Sequence, residues 1–512
     1  MQDGLSNPLL KTMIHHFLRL VVSTVLAVQA MTVLAAPAVK QIVLVQNSGW
    51  MLPFYEDPKN QFKQTVVDFA SRVAPYGNDL VIASFNQSAG DNKSPKLEYS
   101  GSDLAAAASS VNAISLAKKP GTSVYADTDF LEAITGAISQ FTPGQPAVVW
   151  IVTNNKNSPN NSLETVKKNS EFYGFLQNTK EISRIVGYPQ QLEVSNKATG
   201  FSANGLMFYG IAYGELADNV LSNIVESKKV FGQANVARLK PLNSEAITFV
   251  PTGVSDPNVK VSLSAADGKT LILGLDSSSY NQNFQLTGVL RNDFYPYDIE
   301  SGKLSIAARG FDQNKTGPLL VNTDGSQKQL ALGVGENSPV INLDLTLPAM
   351  PPAFSLDVIF GSGFNVAGVL EFSLDEQKLK IARSFTQNMG ALFPGDPLPD
   401  LFNPGATSRN SVTFQPIVVE VAYPIWPILL LGGLVLLALL LILGAMFLMG
   451  RTTKFKVMVD SDERIYAMKP FGKAVLNNSR GERVGVIQRG FGMPTAKLDA
   501  KFKTVNVRIK PY

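Results

Sequence analysis

The stretch "VKQIVLVQNSGWM", Val39 to Met51, decides how the first two fifths of this chain are read. Its β-branched and aliphatic run breaks off at Gln46-Asn47-Ser48-Gly49-Trp50. A short continuous apolar run bounded by turn residues has the pattern of a strand buried on both faces. The pattern recurs in "DLVIASFNQ", apolar from Leu80 to Phe85, and in "PAVVWIVTNNKNSPNNS", apolar from Ala147 to Val152 and again ending in polar residues. Helical spacing fills the intervals. Phe62, Val66, Phe69 and Val73 recur in a segment that Pro75 stops, "GSDLAAAASSVNAIS" is helix-prone, and Phe130, Leu131, Ile134 and Ile138 share one helical face. A helix-compatible stretch, Leu163 to Leu176, and the strand "GLMFYGIAYG" complete the set. Alternating apolar strands and helices predict a doubly wound α/β domain over residues 38–227, with a parallel sheet covered on both faces. Binding crevices of such sheets lie beyond the carboxyl ends of the strands, so the polar clusters after Val45 and Val152 are expected on one rim.

From about Ala246 the texture changes. "VKVSLSAAD", "KTLILGLD", "NFQLTGVLR", "GKLSIAARG", "INLDLTL" and "VAGVLEFSLD" alternate apolar and polar residues at period two, with Gly- and Asn-containing turns between them. The expectation is all-β: two immunoglobulin-like sandwiches, 240–320 and 321–422, divided near Gly317 to Gly325, or else one larger jelly-roll-like domain. "ALFPGDPLPDLFNPGATSRN" reads as an extended loop or membrane-proximal linker.

Two segments belong in lipid. Residues 1–35 read as a signal peptide, with Lys11 and Arg19 before an apolar run and small residues at the cleavage point; an uncleaved anchor is the alternative. Residues 425–450 carry no charge and read as a transmembrane helix. Tyr423 and Trp426 stand at one end, and Arg451, Lys454 and Lys456 at the other, which predicts a cytoplasmic C-terminus. From Arg451 onward there are 14 Lys and Arg against 5 Asp and Glu. The short β-like pieces in 451–512 predict a small basic β-module, with acidic phospholipid as a possible contact and no nucleic-acid partner expected.

Absent residue types narrow the chemistry. The chain has no cysteine, and its only histidines are His15 and His16. A large exported protein without disulfides fits a bacterial envelope, single-pass in the inner membrane. Without His or Cys in the exported part, Ser-His-Asp hydrolysis, thiol nucleophiles, zinc sites and haem ligation are excluded. Carboxylate chemistry, a Ser-Lys pair or an oxygen-ligand cation site remain. No Walker or Rossmann motif stands in its required context. No cofactor is expected, and a non-enzyme is favoured.

The order and endings of the strands over Val39 to Ser227 resemble a von Willebrand factor A domain. In that family a metal-dependent adhesion site uses Asp-x-Ser-x-Ser after the first strand, a Thr before a later helix, and an Asp after the fourth strand. The corresponding positions here are Gln46, Ser48, Trp50, Thr128 and Asn154. Both carboxylates are replaced by amides, and neutral oxygens bind Mg²⁺ or Ca²⁺ far more weakly. A degenerate, metal-free site is expected, with Glu56, Asp57, Asp127 and Asp129 as the nearby acids that would compensate. The resemblance implies protein–protein recognition. Trp50, Met51, Leu52, Phe54 and Tyr55 have the composition of an interface hot spot, and equally of a cluster packed under the loop. The leading expectation is an envelope scaffold or adhesion-type subunit with a protein partner. A transmembrane sensor, and an enzyme using Asp127 and Asp129, are the alternatives.

Overall fold

A computed structural model describes residues 39–512 except 58, 60, 193, 195–203, 233–234, 310–319, 323–327, 348, 356–357, 359–363, 406 and 491. The expected signal peptide lies outside the described residues. The chain divides into two compact units. One holds the residues up to Gly274 with Asn281–Ala349 and Val366–Val419; the other holds Leu275–Tyr280, Met350–Asn365 and Glu420–Tyr512.

The first unit opens with β1 (Lys40–Gln46), the short α1 (Leu52–Glu56), α2 (Phe62–Val73), β2 (Leu80–Phe85), β3 (Lys96–Gly101), α3 (Leu104–Ala113) and α4 (Phe130–Phe141). It continues with β4 (Ala147–Thr153), α5 (Thr165–Asn178), β5 (Ile182–Gln191), β6 (Gly205–Tyr213), α6 (Glu215–Glu226) and β7 (Ala237–Lys240). The seven strands form one sheet in the order β3-β2-β1-β4-β6-β5-β7. Both faces are covered. Val43, Val45, Ile82, Val148, Trp150 and Phe208 meet α1, α2, α3 and α6 on one side. On the other, Phe85 meets Phe130 of α4, and Tyr209 meets Phe172 of α5.

The expected parallel sheet is corrected: only β2, β1 and β4 pair in parallel, and β3, β6 and β7 run against their neighbours. β6 is the reverse limb of a hairpin with β5, inserted between β4 and β5. Its residues Gly205–Ala212 are all buried, and an apolar run reports burial on two faces but not strand direction. β3, β5 and β7 were not among the expected strands; β3 is largely exposed and carries no apolar run.

Gly210 on β6 is required by packing. A Cβ there would lie 2.5 Å from Trp150 Cζ3 and 2.8 Å from Val186 Cγ2. Trp150 has nowhere to move, because its ring is buried, edge-on to Phe69 at 5.0 Å, and its Nε1 donates to Gln41 Oε1 at 2.8 Å.

The β-rich part runs through β8 (Ile247–Val254), β9 (Lys260–Leu263), β10 (Leu271–Asp276), β11 (Asn283–Asn292), β12 (Tyr297–Arg309), β13 (Leu320–Asn322), β14 (Lys328–Leu332), β15 (Ile341–Thr346) and β16 (Phe364–Ile381). After α7 (Arg383–Leu392) and α8 (Leu398–Leu401) comes β17 (Arg409–Ala422). Two sheets result, β14-β12-β16-β17-β10-β9 and β13-β15-β11-β8. They meet through Phe249 stacked on Phe372 at 5.5 Å. The expected division into sandwiches at 240–320 and 321–422 is not how the strands pair. β12 joins β14 and β16, and β11 joins β15 and β8, so each sheet mixes strands from both sides of it. The stretch expected as a linker is also corrected: its first and middle parts form the end of α7 and all of α8, with Leu392, Phe393, Leu398 and Phe402 buried.

In the second unit, α9 (Trp426–Gly450) contains Trp426–Ala445, the one described helix long and apolar enough to cross a membrane. Its 20 residues rise about 30 Å, the thickness of a hydrocarbon core. Two three-stranded sheets follow, β19-β18-β23 and β20-β21-β22, from β18 (Thr453–Val459), β19 (Asp462–Met468), β20 (Lys473–Asn477), β21 (Arg483–Gln488), β22 (Thr495–Leu498) and β23 (Val507–Pro511). Phe455, Val457, Met468, Leu476, Val484 and Ile487 form their core.

Gly210→Ala is expected to destabilise the first unit by about 1–3 kcal/mol, the usual range for overpacking a rigid core. Denaturant unfolding followed by tryptophan fluorescence measures this, and Gly174→Ala, where nothing lies within 4 Å of the added methyl, is the control.

Candidate functional site

The carboxyl ends of β1 and β4 face the loop before α4, and the five singled-out positions converge there. Gln46, Ser48 and Thr128 are fully buried and Asn154 nearly so. The backbone itself ties the loops together: Gly49 N donates to Ala126 O at 3.0 Å, and Ser158 N to Thr128 O at 3.1 Å. Gly49 is required by this approach, since a Cβ would stand 2.8 Å from Tyr125 Cβ.

Gln46 is the centre. Its Oε1 accepts from Thr153 Oγ1 at 2.5 Å and from Asn154 N at 3.3 Å. A backbone N–H can only donate, so the carbonyl end of the amide is fixed toward β4. The Nε2 end then donates to Ser48 Oγ at 2.9 Å and Thr128 Oγ1 at 3.0 Å, and Thr128 Oγ1 donates to Ser48 Oγ at 2.5 Å. Trp50 leans on the same knot. Its Nε1 donates to Ser158 Oγ, and its carbonyl accepts from Asn154 Nδ2 at 2.6 Å.

This set does not fit a divalent cation. Its oxygens carry no formal charge, and an amide N–H points at the two hydroxyls that would otherwise be ligands. The four nearby acids are engaged elsewhere. Asp127 pairs with Lys119 at 2.8 Å, and Asp129 caps α4 by accepting from Glu132 N at 3.0 Å. Glu56 accepts from Tyr125 OH at 3.5 Å, and Asp57 accepts from Lys59 N at 3.0 Å. Among the described residues no three His, Cys, Asp or Glu side chains form a cation cluster. Asp127 and Asp129, the pair considered for carboxylate chemistry, thus serve an ion pair and a helix cap.

The aromatic cluster divides. Met51 and Phe54 are core residues, 0% and 2% exposed, and cannot form a contact surface without unfolding. This corrects their assignment as partner-binding residues: Met51, just before α1, and Phe54 within it turn back under the sheet, where Phe54 meets Phe62 at 5.9 Å. Tyr55 also packs on this core and donates to Gln46 O at 3.1 Å; burial first, and then Glu98, push its pKa far up. Trp50 and Leu52 remain half-buried. Among the described residues of the neighbouring loops, Val124 is 57% exposed and Leu163 91%.

A second knot adjoins the first and was not anticipated. Asn155, in the left-handed region with φ 64°, donates from Nδ2 to Asp396 Oδ2 at 2.6 Å. Asp396 also accepts from Asn169 Nδ2 at 2.7 Å, Tyr173 OH at 3.0 Å and Leu398 N at 3.0 Å. Tyr209 OH lies 2.7 Å from Tyr173 OH and donates to Asn155 Oδ1 at 2.7 Å. Burial pushes the Asp396 carboxyl above its ordinary value, and the bonds from Leu398, Asn169 and Tyr173 draw it partly back. Burial, followed by the Asp396 charge, holds both tyrosines well above theirs. The segment joining α7 to α8 is thereby fastened to the α/β sheet by one carboxylate. No local sequence signal marks a contact between residues 241 positions apart.

Gln46→Ala takes the acceptor from Thr153 Oγ1 and Asn154 N and the N–H donor from Ser48 and Thr128, and is expected to cost roughly 2–4 kcal/mol in denaturant unfolding. Asp396→Asn deprives at least one donor of its acceptor, an expected loss of about 1–3 kcal/mol at neutral pH. Folding raises the Asp396 pKa above 3.8. Its contribution is therefore full below that pH and declines as pH rises through the folded value. The advantage of wild type over Asp396→Asn should accordingly be largest in acid and shrink toward neutrality.

No protein-family model matches the chain, and no curated protein is similar to it in sequence.

Proposed function

We propose that this chain is a single-pass protein of a bacterial envelope whose α/β domain, built on an A-type plan with a degenerate adhesion site, binds a protein partner without a metal. The observation that carries the reading is the neutral knot around Gln46. It gives the rim a fixed shape at the place where α/β sheets present their ligand sites, and its own atoms offer no charge for a cation. The surface open to a partner is Trp50 and Leu52 with the exposed Val124 and Leu163. In this reading α9 spans the inner membrane, the α/β and β-rich parts are exported, and the basic 451–512 module is cytoplasmic, where anionic lipid headgroups are close by.

A sensor is the second reading, favoured by Asp396. A signal that loosened the segment joining α7 to α8 would act directly on Asn155, one residue from the Gln46 knot.

Photo-crosslinking from membranes tests the first reading. A crosslinker at Leu163 or Val124 is expected to give a discrete adduct, and Trp50→Ala to abolish it while the protein stays folded. A crosslinker at Asn78, exposed just before β2 at the amino end of the sheet, should give none. Equal adducts from both ends would refute a rim-specific partner.

A further inference from the structure

The residues after α9 form two small sheets, and each leaves one strand edge open toward the other. β23 closes the β19-β18-β23 sheet, and β22 closes the β20-β21-β22 sheet. A groove lies between them, lined by Thr495, Ala496, Leu498, Val505, Val507 and Ile509.

The registers tell which backbone groups face it. Asp460 N donates to Asn506 O at 2.9 Å and Tyr512 N to Lys454 O at 3.3 Å, and Met458 lies opposite Arg508 and Lys456 opposite Lys510. The even-numbered residues of β23 therefore spend their amides and carbonyls on β18, and those of Val507 and Ile509 point to the groove. On β22, Asp499 N donates to Val484 O at 3.0 Å, in register with Lys497 opposite Val486. By the same alternation, Ala496 and Leu498 point their amides and carbonyls outward from the sheet edge. The side chains of these four residues lie over the module's core and are only partly covered. Lys497, Arg508 and Lys510 stand between them on the opposite, exposed face.

We propose that this groove is a docking site for an extended acidic peptide of a partner protein, added as a strand between β22 and β23. Unpaired edge groups on both walls supply main-chain hydrogen bonds, the mode of β-strand addition. The four residues of β22 and five of β23 match a peptide of roughly five to seven residues. Period-two geometry sets its composition: one set of side chains falls on Leu498, Val507 and Ile509 and should be apolar, while the alternate set falls beside Lys497, Arg508 and Lys510 and should be Glu or Asp. The excess of 14 basic over 5 acidic residues from Arg451 onward favours the same charge.

Amide hydrogen exchange on the full chain in detergent or nanodiscs tests this with a synthetic peptide alternating Glu and Val. The amides of Ala496, Leu498, Val507 and Ile509 should slow by roughly tenfold or more. The same peptide with its central residue replaced by Pro should give no protection, because it cannot complete the strand. Ala496→Pro removes an edge N–H that no ladder bond uses, and should weaken peptide binding with the rest of the module unchanged in exchange. Three results would overturn the proposal: no protection by the alternating peptide; equal protection by the Pro-containing one, which would mean charge attraction alone; or protection of the module by vesicles of acidic phospholipid with none by peptide, which would make it a lipid surface.

Discussion

One side-chain amide holds the rim of the α/β domain together. Gln46 ends β1, receives Thr153 of β4 and the N–H of Asn154 just after it on its oxygen, and gives its N–H bonds to Ser48 in its own following loop and to Thr128 in the loop before α4. Three chain segments are joined here by a donor and an acceptor fixed in opposite directions rather than by charge. The exchange has physical consequences. A cation site responds to pH and chelators, whereas a buried neutral network is indifferent to both and fails only when a partner is removed. The polar residues around it obey the same logic. Asn86 Nδ2 donates to Asn47 Oδ1 at 3.0 Å and Asn92 Nδ2 to Asn86 Oδ1 at 2.8 Å, so amides also satisfy the neighbouring loop.

Charge appears where this unit joins its parts. Arg184, 7% exposed at the side chain, meets Asp218 at 3.1 Å and Glu245 at 3.3 Å, and Arg238 reaches Glu245 at 2.9 Å while lying 4.1 Å from the centre of the Phe294 ring. Burial pushes the Arg238 pKa down to about 10. With Asp396, these residues fix the β-rich part against the α/β sheet at two places. A buried charged pair contributes less to net stability than to a single arrangement, since either partner left alone is costly.

Much of this was legible in the sequence, and the failures have specific causes. The spacing of Phe62, Val66, Phe69 and Val73 gave the buried face of α2 as it stands. The polar endings after Val45 and Val152 located the rim, because turn residues after a buried strand mark its carboxyl end. Strand direction was lost at β6, whose apolar run carries no information about its partner. Leu131 was assigned to the buried face of α4 but is 39% exposed, where Ala133 and Ala137 pack instead. Composition could not separate Met51 and Phe54, which turn inward, from Trp50 and Leu52, which do not. Asp396 was invisible for a different reason: its Pro- and Gly-rich surroundings look like a linker, and only the tertiary fold brings it to Asn155.

The claim that the neutral knot around Gln46 is complete without a cation is tested most directly by calorimetric titration of Mg²⁺, Ca²⁺ and Mn²⁺ into the purified full chain, paired with thermal unfolding in EDTA. The account predicts no heat beyond dilution and one unfolding temperature with or without chelator. Saturable binding at about micromolar affinity, lost on Ser48→Ala or Thr128→Ala, would contradict it.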